Sequence, residues 1–122
     1  MSKRRTVVAV IDDNSSMLSA MNNILNVFGY DTELYASVQA FLDGAAKSQA
    51  SCLIVDVQIG ASRGVDLVQQ LGELGFRFPI IFMTARDDEQ IEKQAERAGC
   101  VALLRKPFPA GALIDAINKS KR

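Results

Sequence analysis

Histidine and tryptophan are absent from the 122 residues, and cysteine, tyrosine and proline number only two, two and three. Each shortage removes a class of chemistry. Without histidine the chain has no His-based zinc site, no Ser–His–Asp triad and no phosphohistidine of its own. Two cysteines, Cys52 and Cys100, are too few for a zinc site or a disulfide framework. They open the third and fifth expected strands, about 9–10 Å apart, too far for a disulfide. Small packing residues are the expected role. No apolar run reaches the roughly 20 residues of a membrane-spanning helix. The N-terminus, read from Met1, lacks the apolar core of a signal peptide. The expectation is a soluble cytoplasmic domain with no leader.

Net charge is also missing, since 14 basic residues balance 14 acidic ones. The balance is uneven along the chain. Lys3, Arg4, Arg5, Lys119, Lys121 and Arg122 lie at the two ends, and setting these six aside leaves 8 basic against 14 acidic residues, a body near −6. An acidic body argues against a nucleic-acid surface, so no direct DNA binding by this chain is expected. The basic ends are expected to be solvated and to sit at one edge of the molecule.

What is present is a rhythm of apolar runs. With 48% hydrophobic residues, the chain can bury one sizeable core, so 1–122 is read as one domain. Residues 6–11, TVVAVI, have the continuous apolar pattern of a strand buried on both faces. Met17, Leu18, Met21, Ile24, Leu25 and Phe28 then recur at helical spacing, with Gly29 placed to end the helix. DTELYA (31–36) alternates and predicts a weaker edge strand. Ser37 can cap a helix carrying Val38, Phe41, Leu42 and Ala45. CLIVD (52–56) is the next buried strand. The loop VQIGASRG leads to a helix with Val65, Leu67, Val68, Leu71 and Leu74, whose Gly72 and Gly75 predict a frayed end. PIIFMT (79–84) is a third apolar strand. A charged helix over 87–98 turns Ile91, Ala95 and Ala98 inward and stops at Gly99. CVALL (100–104) predicts a fourth buried strand, and Pro109 opens the last helix. Strict alternation of apolar strands and helices predicts a parallel sheet covered on both faces, with right-handed crossovers. In such sheets the ligand site lies beyond the carboxyl ends of the strands.

Those ends carry the chemistry. Asp12 and Asp13 follow the first strand, Asp56 ends CLIVD, Thr84 and Ala85 end PIIFMT, and Lys106 follows the last strand. Neighbouring strands are roughly 4.8 Å apart, so adjoining strands would cluster the three carboxylates. Such carboxylates repel unless a cation offsets them. Hard oxygen donors favour Mg²⁺, or Mn²⁺, over zinc or copper. Lys106 adds a compact positive charge, Thr84 a hydroxyl and Ala85 an unobstructed backbone N–H. Acid, metal, ammonium and hydroxyl together describe phosphoryl transfer, with one carboxylate as nucleophile.

The segments VVAVIDDNSS, CLIVDVQI, PIIFMTA and LLRKPF, in this order, resemble the four motifs of receiver domains in two-component response regulators, particularly those attached to helix-turn-helix outputs. The resemblance covers essentially the whole chain. It implies a flavodoxin-like, doubly wound α/β fold with a five-stranded parallel sheet of order 2-1-3-4-5 and five helices. It implies that Asp56 accepts a phosphoryl group from a histidine kinase or phosphotransfer protein. Asp13 would ligate Mg²⁺ directly, Asp12 through water and Gln58 through its backbone carbonyl, with Asp56 completing the set. Thr84, Lys106 and the backbone of Ala85 would contact the phosphoryl group, and Lys106–Pro107 would be a cis peptide. Such a domain catalyses its own phosphorylation and dephosphorylation while serving as a signalling switch, coupled to an output domain or effector protein.

Plainer roles exist for each residue. Asp12 and Asp13 could cap the first helix, Asp56 could end a strand in a turn, Thr84 could be an ordinary strand residue and Lys106 a solvated one. Two positions depart from the family pattern. Gly60 stands where receivers usually carry proline, which predicts a more mobile loop. Leu103 replaces the aromatic residue that usually rotates inward on phosphorylation; a core leucine and an altered switch both fit. These departures leave a phosphorylation-independent interaction module as the alternative. A haloacid dehalogenase-like phosphatase would need an acid where Gln58 stands, and a nucleotide-binding Rossmann domain would need a glycine-rich loop after the first strand.

Overall fold

Five parallel strands make the main sheet: β1 (Val7–Ile11), β2 (Asp31–Tyr35), β3 (Cys52–Asp56), β4 (Ile80–Thr84) and β5 (Ala102–Arg105). Their spatial order is β2-β1-β3-β4-β5, the order the motif resemblance implies. The computed structural model describes residues 5–121; Lys3, Arg4 and Arg122 of the terminal basic clusters lie outside the described residues. Four α-helices connect these strands, α1 (Ser15–Val27), α2 (Val38–Gly44), α3 (Gly64–Glu73) and α4 (Glu89–Arg97), and α5 (Ala110–Ser120) follows the last one. A 3₁₀ turn, Ala45–Lys47, follows α2.

Strand side chains alternate between two faces, and each face has its own core. Val8, Val10, Ile54, Ile81 and Met83 pack with Leu18, Met21 and Leu25 of α1 and Leu113 and Ile117 of α5. Ala9, Ile11, Leu53, Val55 and Phe82 pack with Phe41 of α2, Leu67 and Leu71 of α3 and Ile91 and Ala95 of α4. The central strands β1, β3 and β4 are almost wholly buried, which is why they read as unbroken apolar runs.

The end of α3 is tighter than the sequence predicts. After α3, Gly75 adopts φ +85°, its N–H donates to the Gly72 carbonyl, and the Phe76 N–H donates to the Leu71 carbonyl. That is a Schellman closure, the opposite of a frayed end. Gly29 and Gly99 close α1 and α4 in the same way. The closures also move apolar residues outward. Phe28 and Leu74 fall at the helix ends and are 51% and 62% exposed, so neither joins the core.

The last strand differs too. It runs over Ala102–Arg105 rather than 100–104, because the Cys100 N–H is used to close α4 on the Ala95 carbonyl. It is an edge strand and is only half-buried, despite its apolar sequence. Cys100 is therefore a loop residue; both cysteines are free thiols, Cys52 buried and Cys100 half-buried. At the strands' amino ends, Arg5 donates to the Gly29 carbonyl at 3.0 Å and pairs with Asp31 at 3.3 Å. The Lys121 ammonium lies 5.1 Å from the centroid of the neighbouring Tyr30 ring. These two basic residues gather at one edge, as expected, but are tied in rather than simply solvated. Among the described residues, no helix is long and apolar enough to cross a membrane.

Candidate active site

The sheet register brings the acids together. Ile11 lies opposite Val55, so Asp12 and Asp56 leave neighbouring strands side by side. On the other flank Asp56 lies opposite Met83, and Thr84 opposite Arg105, which sets Lys106 at the same edge. The Lys106 N–H donates to the Thr84 carbonyl at 2.7 Å, and the Lys106–Pro107 peptide is cis.

The Lys106 ammonium reaches two carboxylates at once. It donates to Asp56 Oδ2 in a close ion pair and to Asp12 Oδ2 at 3.2 Å. Asp12 is 1% exposed and Thr84 3%. Burial pushes the Asp12 carboxyl above its ordinary range, against the opposing pull of the Asn14 N–H and Lys106. Burial works to lower the Lys106 pKa, but Asp56 and Asp12 outweigh it and the ammonium is held more tightly than usual. Asp56 is further fixed by the Gln58 N–H, which donates to Oδ1 at 2.8 Å.

Helix capping does not account for the acids. The N-cap of α1 is Asn14, whose Oδ1 accepts from the Met17 N–H at 3.1 Å. Asp13 instead reaches across to the loop after β3, where Oδ2 accepts from the Gly60 N–H at 3.0 Å. The Thr84 hydroxyl accepts from the Arg86 N–H at 3.1 Å, and Ala85 is exposed immediately beyond it.

The donor set suits a hard divalent cation. Asp12, Asp13 and Asp56 supply carboxylate oxygens around one strand edge. Gln58 and Arg63 face each other in a short antiparallel ribbon, and the Gly64 N–H donates to the Val57 carbonyl. Bonded and open pairs alternate in such ribbons, so Gln58–Arg63 is an open pair and leaves the Gln58 carbonyl for another partner. Among the described residues, no three Asp, Glu, His or Cys side chains close around a single point. Mg²⁺ needs no such cage, because it keeps several waters and takes one or two carboxylates.

Two features escaped the sequence reading. Gly64 begins α3 directly against the acceptor strand: a Cβ there would lie 2.6 Å from the Asp56 carbonyl oxygen and 3.0 Å from both Phe82 and Val55. Gly60 donates its N–H to Asp13 across the site, a contact that the expectation of a mobile loop did not include. The glycines were visible; the groups approaching them, the Asp56 carbonyl at Gly64 and the Asp13 carboxylate at Gly60, were not.

Comparison with known proteins agrees with this fold. The family model described as "Response regulator receiver domain" matches residues 8–118. The chain belongs to the response-regulator receiver family. It is similar to the response regulator protein TodT of Pseudomonas putida, with 35% identity over 118 residues, 97% of this chain and 52% of that protein. Among solved structures, FixJ-N superposes with a TM-score of 0.89 at 27% identity, covering 97% of this chain and 94% of that one. A response regulator receiver protein from Burkholderia phymatum gives 0.84 at 33% identity, covering 95% and 94%. The chain spans about half the length of the curated relatives it matches.

Proposed function

We propose that Asp56 is the nucleophile that takes a phosphoryl group from a phosphohistidine on a histidine kinase or phosphotransfer protein. The observation that carries this reading is the Lys106 ammonium held against both Asp56 and Asp12 at the carboxyl edge of the sheet. An Asp56 carboxylate oxygen attacks phosphorus as the P–N bond to imidazole breaks. The imidazole leaves with the bonding pair and takes up a proton, and Asp56 becomes an acyl phosphate. Lys106 follows the charge from the carboxylate to the phosphoryl oxygens, while the Thr84 hydroxyl and Ala85 N–H offer further donors. Mg²⁺ (or Mn²⁺) would be held directly by Asp13, Asp56 and the Gln58 carbonyl and through water by Asp12, and would supply positive charge to offset the phosphoryl oxygens. Dephosphorylation is the hydrolysis of the same acyl phosphate, with water attacking phosphorus and the Asp56 carboxylate leaving.

The whole 1–122 chain acts as one receiver unit in this reading. It signals to an output domain or effector protein, in the cytoplasm where kinase and phosphodonor are present. The test is labelling by a small phosphodonor such as acetyl phosphate. Wild-type protein should gain one phosphoryl group in the presence of Mg²⁺, and Asp56→Asn should gain none while keeping its circular dichroism spectrum. Undiminished acyl phosphate on Asp56→Asn would overturn the assignment.

A further inference from the structure

The loop after Asp56 is a miniature hairpin rather than a simple connection. Gln58–Ile59 pairs antiparallel with Ser62–Arg63, leaving Gly60 and Ala61 as the two-residue turn. Gly60 has φ +60°, and among the described residues no non-glycine has positive φ, so Ala61 does not. Positive then negative φ is the sign pattern of a type II′ turn, which calls for glycine at its first central position. Ile59, 3% exposed, anchors the hairpin in the core on the α2–α3–α4 side of the sheet.

This hairpin joins the two carboxylates that matter most. Gln58 donates its N–H to Asp56 Oδ1 at 2.8 Å and its side-chain amide to the Gly60 carbonyl at 2.7 Å. Gly60 then donates its own N–H to Asp13 Oδ2 at 3.0 Å. Among the described residues, Asp13 makes no other hydrogen bond, so this one fixes an otherwise exposed side chain. Proline, usual at this position in receivers, has no N–H and a φ near −65°, so it can make neither the bond nor the turn.

We propose that Gly60 is a positioning residue of the cation site: its N–H holds Asp13 in the orientation that receives the divalent cation. Groups that orient a metal-binding carboxylate typically change metal affinity by about 10–100-fold when lost. The inference rests on the active-site reading above, and its test separates the two.

The experiment is a MgCl₂ titration followed by backbone amide shifts, on wild type and on Gly60→Pro, Gly60→Ala and Asp13→Ala. Gly60→Pro should raise the Mg²⁺ Kd about tenfold or more. Gly60→Ala strains a backbone at φ +60°, but it keeps the N–H, and its Cβ would meet nothing closer than Asp13 Oδ2 at 3.9 Å. It should therefore lose less affinity than Gly60→Pro. Amide hydrogen exchange gives a second readout that leaves the hairpin sequence intact. The Gly60 amide should be protected in wild type and exchange faster in Asp13→Ala. A wild-type Kd in Gly60→Pro overturns the proposal, as does equal loss in the alanine and proline variants. A Gly60 amide indifferent to Asp13→Ala overturns it as well, and this arm decides if Gly60→Pro disturbs the hairpin. Unchanged Mg²⁺ binding in Asp13→Ala would instead strike the active-site reading itself.

Discussion

Asp12 and Asp13 are neighbours in sequence and opposites in environment. Asp12 is sealed beneath Lys106 and Asn14, whereas Asp13 is exposed and held from across the site by Gly60. The pair was legible as a pair of acids, because acids at strand ends stand out against apolar runs. The contacts that separate them were not, because they are made with residues 47 and 94 positions away. Gly64 shows the same limit. No pattern marks it, yet it lets the first turn of α3 lie on the backbone of Asp56. An added methyl group at 2.6 Å from a carbonyl oxygen cannot be absorbed by a side-chain rotation. Gly64→Ala must push α3 away from β3, at a cost typical of overpacking, about 1–3 kcal/mol. Urea denaturation should show that loss, and phosphorylation at Asp56 should slow because its carbonyl and carboxylate share one backbone unit. A stability within error of wild type would mean that α3 shifts freely.

Elements were legible where burial was extreme and blurred where it was partial. The central strands and the order of helices follow from apolar periodicity, while β5 was misjudged because an edge strand can be apolar without being buried. Its position matters for Leu103. Leu103 pairs with Phe82, packs partly on the α2–α3–α4 side of the core and borders a groove of about 500 Å³ between β5 and α4. The groove is also lined by Glu92, Ala95, Glu96 and Arg105. Arg105 spans it, pairing with Asp87 at 3.0 Å and with Glu92. Only a difference in burial between two states can drive a switch. A half-buried leucine has little left to gain, since complete burial of such a side chain is worth roughly 1.5–3 kcal/mol in total. A tyrosine at this position has open space to move into. Leu103→Tyr should therefore enlarge the amide-shift response of β5 and α4 to beryllofluoride, a phosphoryl mimic, while the phosphorylation rate changes little. Equal, large responses in wild type and variant would show that Leu103 does not limit the switch.

At the scale of the whole molecule, the sheet separates chemistry from ballast. Acids, hydroxyl and Lys106 gather at the carboxyl edge, while Arg5 and Lys121 are bound at the opposite edge around Tyr30. Direct nucleic-acid binding would need a basic surface free to neutralise several phosphates at once. The body has 8 basic against 14 acidic residues, and Arg5 is already committed to the Asn26, Gly29 and Tyr30 carbonyls. Lys106 is paired twice in a site too acidic to admit a DNA backbone. The 122-residue polypeptide should show no sequence-specific gel shift at physiological salt, with or without phosphorylation. Specific regulators bind at about 10⁻⁸–10⁻¹¹ M, so a titration to micromolar protein is decisive. A shift that survives excess competitor DNA would show that this acidic body carries a nucleic-acid surface of its own.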